Sequence, residues 1–490
     1  MKKLAFIIAM GVYVPSTIGQ NAEDALRYSQ TSVTGTARFS SMGGAFGALG
    51  GDFSSLSTNP AGLAVFRKAE LTFTPSFFNQ KTTAEYNGTS RDDVKYNFNL
   101  GNIGLVATKL KNDGNANGWV STAFAFGHNR INNFHSNISI EGENATSSLL
   151  DVYLNQANTG LAPADLDLFG AFLAFQTYLI DTIPGQSSAY FSQIPMNSDK
   201  LQRKSISTTG AMGETVFSFA GNYNNKLYLG AALGFDYIKY SQNAIHEEIV
   251  TDVDSSVVLK SFRLDENLYT RGNGFNLKIG MIYRVTDWVR IGAAVHTPTF
   301  YNLSDSWSSS MRAEFKDSAL YNHQYNPEYT NASPNGSYDY TITTPMKAIG
   351  SVAFVIGKMG IVSADYEFID YSAARLRASD FNYFNENNDI QNNYMATGNI
   401  KIGTEWRFDP FSVRGGYALY GNPYKNNIND GGRSSYSIGF GIKEAEYYID
   451  LAYVLSQSSS KYYLYDPAIV NPAKVNTNSN SILLTFGFRY

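Results

Sequence analysis

The chain is 490 residues long, 14% aromatic and only 16% charged, with no cysteine; soluble domains carry about 25% charged side chains and would divide such a length into roughly three domains. The lack of cysteine excludes a disulfide scaffold, thiolate metal sites, cysteine nucleophiles and a lipid-modified N-terminal cysteine. With 38 Lys and Arg against 42 Asp and Glu, the net charge of −4 argues against nucleic acid as a partner, while 34 Tyr, 32 Phe and 42 Gly are an odd composition for a mean hydropathy of −0.24.

Residues 1–19 read as a secretory signal peptide. Lys2 and Lys3 supply the charged start, Leu4 to Val14 the apolar stretch, and Thr17-Ile18-Gly19 small residues before Gln20. An apolar run of about eleven residues is short of the roughly 20 a helix needs to cross a bilayer. No later segment approaches that length without charges, so a membrane role must come from strands. Residues 20–68 are too long for a tail and wrong for a strand, which makes them a candidate lumenal plug, or hatch. Their Gly-rich run from Ser40 to Asp52 includes Gly43 and Gly44, and Asn59-Pro60-Ala61-Gly62-Leu63 follows. Such glycine density permits close backbone approach and positive φ. A phosphate loop is disfavoured, because the G-x-G-x-x-G spacing and the Lys-Ser/Thr ending are both missing.

From residue 69 onward the chain alternates with period two. Ile482, Leu484, Phe486, Phe488 and Tyr490 share one face against Leu483, Thr485, Gly487 and Arg489. Val289, Ile291, Ala293 and Val295 oppose Arg290, Gly292, Ala294 and His296; Ile400, Ile402, Trp406 and Phe408 oppose Lys401, Gly403, Glu405 and Arg407. About fourteen such strands are predicted, at 70–81, 94–109, 117–130, 208–223, 226–241, 258–285, 287–301, 340–356, 359–370, 397–408, 411–420, 433–443, 446–456 and 480–490. An even count suits a single-chain bacterial barrel. Ten residues at about 3.3 Å each and a 45° tilt cover roughly 23 Å, close to the apolar band of an outer-membrane barrel. Links alternate between short ones such as 224–225 and 409–410 and long ones, the largest 131–207. That asymmetry separates a transmembrane barrel from a sandwich. The expected fold is therefore all-β: an antiparallel transmembrane barrel at 69–490 in the outer membrane of a Gram-negative cell, multi-pass and monomeric, with an N-terminal hatch in its lumen.

The Asn59-Pro60-Ala61 motif behind its Gly-rich run, together with the segments 274–307, 358–371 and 400–420, resembles the FadL/TodX-type outer-membrane transporters of long-chain fatty acids and other hydrophobic compounds. The resemblance covers essentially the whole mature chain, and the opening 24–30 is similar to the Bacteroidetes form of the family. It implies a hydrophobic small-molecule substrate captured by extracellular loops, an internal apolar pocket, a hatch that shifts, and lateral release into membrane lipid through a gap beside a kinked third strand. Here Gly127 is the candidate kink, against the bland reading of packing tolerance. Phe46, Leu49 and Phe53 of the hatch are candidate substrate contacts.

In the loop 131–207, Leu168, Phe169, Phe172, Phe175 and Leu179 fall roughly on one helical face. They form either a capture groove or a packing face on the barrel rim. Arg290, Asp365, Glu367, Lys401, Glu405, Arg407 and Arg414, with Lys278 and Asp450, face inward and suit a charge network that fixes the hatch; one of the arginines could instead meet a substrate carboxylate. His128, His135, His246, His296 and His323 lack metal spacing, so no metal or cofactor is expected, and no catalytic motif marks an enzyme. A haemin or other larger-ligand receptor, and a non-transporting structural or adhesive barrel, remain open alternatives.

Overall fold

The computed structural model describes residues 21–111, 118–195, 197–251, 257–316 and 327–490. The expected signal peptide, His323 and most of the 111–118 link lie outside the described residues. Fourteen antiparallel strands close into one barrel. They are β1 (Glu70–Tyr86), β2 (Thr89–Leu110), β3 (Trp119–Asn133, continued by Ser136–Asn144), β4 (Lys200–Tyr223), β5 (Leu227–Val250), β6 (Leu259–Arg284) and β7 (Val289–His296, continued by Phe300–Phe315). Then come β8 (Gly336–Thr343, continued by Lys347–Ile356), β9 (Gly360–Asp370), β10 (Ala396–Phe408), β11 (Phe411–Tyr420), β12 (Arg433–Lys443), β13 (Tyr447–Tyr462) and β14 (Ala473–Arg489). β1 pairs β14 from Glu70↔Arg489 to Glu85↔Lys474 and closes the wall.

Alternation sets the two faces. Phe73, Phe126, Phe219, Leu233, Ile279, Ile402, Ile438 and Leu451 stand exposed on the outside, as a lipid-facing band requires. Aromatic pairs mark its edges: Trp119 lies 5.5 Å from Tyr223 and Trp288 lies 6.3 Å from Phe354 at the short-turn end, and Phe275 lies 5.5 Å from Phe300 at the other. No helix among the described residues is long and apolar enough to cross a membrane. Band, girdles and short-turn end together place the barrel in an outer membrane, with the short turns in the periplasm.

The predicted strands are all present, but the structure prolongs many of them into the expected loops. The hairpin of β1 and β2 stays paired to Tyr86↔Thr89 and turns on Asn87 and Gly88, whose φ values are 44° and 85°. β5 and β6 remain in register to Ile249↔Ser261. Backbone pairing continues beyond lipid because it needs no apolar face, whereas the pattern that reveals a strand in sequence stops where both faces meet polar surroundings.

Residues 21–67 lie inside the tube. Helices α1 (Ala22–Arg27) and α2 (Ala37–Ser41) are capped by the side chains of Asn21 and Thr36, and 3-10 turns at Phe53–Ser57 and Pro60–Val65 by Asp52 and Asn59. Gly43 and Gly44, at φ 62° and 75°, reverse the chain after α2. Outside the membrane, α3 (Leu149–Ala157) and α4 (Ala171–Gln176) form a cap between β3 and β4, and α5 (Phe384–Asn393) lies between β9 and β10.

Candidate functional site

The plug is fastened by polar groups that the barrel strands point inward. Glu405 on β10 receives Arg38 of the plug at 2.7 Å, and Arg407 and Arg414 from the wall, each at 2.7 Å; Arg414 also reaches Asp450 at 2.6 Å. Asp365 accepts from the Gly47 amide at 2.9 Å, Arg290 donates to the Leu49 carbonyl at 3.4 Å, and His296 donates to the Thr58 carbonyl at 2.8 Å. Glu367 pairs with Lys401 at 3.4 Å and Lys278 with Glu214, which also accepts from Ser57 at 2.6 Å. The charges predicted to face inward thus do so, although Arg407 is half-exposed at the periplasmic end. Asp52, within the plug, is pushed up to about 6 by burial, against the opposing pull of Arg38, Thr36 and the Ser54 amide.

Asn59 shows what the Asn-Pro-Ala motif does physically. Its side-chain oxygen accepts from the Ala61 amide at 3.1 Å, while its amide donates to Gly47 at 2.6 Å and to Met281 of β6 at 3.1 Å. One side chain therefore caps a turn, ties it to the Gly-rich run and docks both on the wall. Pro60 follows at the first position of the turn, where its missing N–H costs nothing. The wall makes room with glycine: a Cβ at Gly230 would stand 2.4 Å from the Pro60 carbonyl oxygen.

Phe46 and Phe53 are fully buried rather than open to a ligand. Phe46 packs 5.3 Å from Phe39, in a cluster with Met42, Leu49 and Ala353, and Phe53 sits among Leu56, Ala61, Leu63 and the wall residues Val106, Ala125 and Val216. Of the three plug residues expected to contact substrate, Leu49 borders the cavity on the plug's periplasmic side.

Three cavities adjoin the plug. On its outer side a space of about 100 Å³ is bordered by Glu214, Asp236, Lys278, Lys347, Glu367 and Lys401, among others. On its periplasmic side one of about 480 Å³ is bordered by Leu49, Arg290, Arg407, Arg414, Lys443 and Glu405, among others. A third, of about 300 Å³, lies between plug residues 32–34 and strands β1, β2, β3 and β11 to β14. All three are bordered mainly by residues with polar side chains, in contrast to the apolar pocket that the resemblance implies. The inward face that gives a barrel its water-compatible lumen also supplies these linings.

The wall itself is interrupted beside the third cavity. β2 pairs with β1 along its length, but with β3 only from Leu110↔Ser121 up to Asn102↔Asn129. The register of β3 slips between Arg130 and Asn132, and its continuation Ser136–Asn144 pairs with β4 alone. Above Asn102 the two edges meet through side chains: Asn97 and His135 at 3.1 Å, Arg130 and the Leu100 carbonyl at 3.4 Å, Ser139 and Asp93 at 2.6 Å. The tips of Thr82 and Gln80 on β1 bond residues 137 and 136, so β3 turns in behind the β1–β2 hairpin. Asn99, Gly101, Arg130, Asn132 and Asn133 border both break and cavity. Gly127 is not the kink. It pairs regularly with Gly104 and Val216, and a Cβ there would meet Phe53 at 2.5 Å, so its smallness serves plug packing.

The external cap seats an apolar face that shares Leu179 with the predicted one but leaves Leu168 exposed. Leu150, Leu173, Ala174, Leu179 and Ile180 are fully buried against Tyr86, Leu264 and Met311. Phe172 and Phe175 are partly buried at its margin, and Phe169 rests 5.7 Å from Trp307. α4 is only six residues long, too short to hold 168–179 on one helical face. Sequence reasoning missed the group that anchors this cap, Glu248. Wholly buried on the extension of β5, it accepts from Ser148 at 2.6 Å, the Leu149 amide and Gln202 at 2.9 Å, and His246 at 3.0 Å. Burial pushes its carboxyl up, but His246, Ser148 and the Leu149 amide outweigh that and hold it below the ordinary range. No short motif could have linked residues 100 apart.

No family model and no curated protein matches the chain. Among solved structures it is similar to the Pseudomonas putida toluene transporter TodX, with a TM-score of 0.51 at 12% identity over 94% of this chain and 100% of that one. It is also similar to a Pseudomonas aeruginosa FadL homologue, at 0.52 and 13% identity over 94% and 99%. At such identities the likeness establishes the fold.

Proposed function

We propose that this chain, built on the FadL/TodX barrel fold, is a monomeric outer-membrane channel that takes up hydrophobic small molecules, of the size of a long-chain fatty acid or a monoaromatic hydrocarbon, and releases them sideways into the membrane. The break between β2 and β3 carries this reading, because the wall there is held by side chains alone and a lumenal cavity lies directly behind it. An apolar molecule gains by leaving a polar lumen for lipid, at about 25 cal/mol for each Å² removed from water, so release there needs no energy source. The cap and the plug then act as entrance and stopper, and no chemical step is involved.

The cysteine-free chain gives a clean background for the test. Asn97→Cys and His135→Cys place thiols on the two edges of the break, for joining by a short cleavable bis-maleimide. Tethering should slow uptake of labelled oleate or toluene at least ten-fold in cells carrying only this channel, and cleaving the tether should restore it. Uptake of both compounds that ignores the tether would refute lateral release, and uptake that also ignores deletion of the gene would refute the transport role. Haemin has no comparable support: His246 and His296 are committed to Glu248 and Thr58.

A further inference from the structure

The 300 Å³ cavity beside the break is the one of the three whose border holds no carboxylate. Two arginines face it. Arg433 donates to the Ser32 hydroxyl at 2.9 Å and the Thr31 carbonyl at 3.1 Å, and stacks 4.0 Å over the Tyr420 ring. Its Nε is buried with no hydrogen-bond partner among the described residues, and so is Nη1 of Arg130, whose Nε reaches the Leu100 carbonyl only at 3.4 Å. Several other lumenal cations meet carboxylates, Arg38 and Arg414 at Glu405, Lys278 at Glu214 and Lys401 at Glu367, whereas Arg290 reaches the Leu49 carbonyl and Lys347 the Thr31 hydroxyl. Two guanidinium groups on the border of one cavity, each held in place by neutral partners and met by no carboxylate among the described residues, are a receptor for an oxyanion. The remaining border is dense in hydroxyls, including Ser76, Ser456, Ser479 and Ser481. Each is donor and acceptor at once and so suits ligand hydroxyls in either sense.

We propose that this cavity binds an anionic, polyhydroxylated head group the size of one sugar acid, so that the cargo leaving by the break is an amphiphile with such a head rather than a bare hydrocarbon. A volume of about 300 Å³ admits a monosaccharide, at the lower end of ligand pockets. A hydrocarbon there would meet none of this polar lining, and sites built for polar groups reject analogues that lack them by large factors. The tail would lie toward Asn99 and Gly101, where the backbone pairing of β2 with β3 has ended. This placement of the tail rests on the lateral route, whereas the head-group site stands on the cavity alone.

The test is calorimetric titration of the full-length protein, in polyoxyethylene detergent, with octyl β-D-glucuronide, octyl β-D-glucoside and octanoate. The glucuronide should bind at least ten-fold more tightly than either analogue, and less tightly as salt rises. Arg130→Gln and Arg433→Gln should each weaken it at least ten-fold, and Lys443→Gln at the opposite mouth should leave it unchanged. Equal affinity for the three compounds, or binding insensitive to salt, would overturn the proposal without any variant having to fold. Glucuronide affinity that survives both glutamine substitutions, in barrels shown closed by heat-modifiable mobility, would overturn it too. Loss of the lateral route in the tethering experiment leaves this binding untouched, so the two readings fail separately.

Discussion

The plug inside the tube is fixed by Glu405 shared among three arginines, by Asn59 spanning two segments and by backbone groups bonded to Asp365 and His296. The plug also seats Phe53 and Leu63 against the wall, but the cap outside it rests on a larger apolar face, with Leu150, Leu173, Leu179 and Ile180 fully buried beside the polar anchor Glu248. A hydrogen bond can be exchanged for one to water at a net cost of only about 1 kcal/mol, whereas an apolar face leaving its seat loses its whole buried area. Under the transport role proposed above, the comparison makes the plug the closure suited to shift and the cap the one suited to stay.

Breaking the plug's shared carboxylate should have the largest effect. Glu405→Gln leaves Arg38 buried without its counter-ion, a loss of about 3–5 kcal/mol for a buried pair. It should raise hydrogen exchange across residues 36–52 and ion conductance in planar bilayers, with exchange in the cap unchanged. Next, Leu173→Ala should destabilise the cap by roughly 2–5 kcal/mol. Limited proteolysis would then cut between 149 and 195 while the closed-state conductance holds. The smallest effect is one of pH. Because the Glu248 carboxyl titrates below its unfolded range in the folded protein, its contribution is complete above about pH 4.3 and is lost as pH falls through the lower folded value. Hydrogen exchange in α3 should quicken below that point in the natural chain and show a flatter pH dependence in Glu248→Gln.

The membrane-level wall was legible because lipid on one side and lumen on the other impose strict alternation, as in 289–296 and 400–408. The plug was legible through Asn59-Pro60-Ala61 and its glycines. The upper halves of the strands were not, since both their faces meet polar or cap residues; Lys81 bridges Asp92 across what read as a loop. Nor was the break. Gly127 drew attention as a weak point, while β3 departs at Arg130–Asn132 through a register slip that depends on which strand it pairs with, a tertiary choice with no local mark. Phe169, Phe172 and Phe175 promised a greasy face that short α4 does not present.

The seam between β1 and β14 does more than close the wall. Thr485 on β14 accepts the Ala37 amide of the plug at 2.7 Å and touches Thr74 of β1 at 2.8 Å, and Ala69 and Tyr490 exchange two backbone bonds at 3.1 Å where the plug emerges. The plug comes first in the chain and the closing strand last, yet they share one hydroxyl. The strand that completes the wall is therefore also one that fastens its contents, so that opening this seam would loosen the stopper along with the tube.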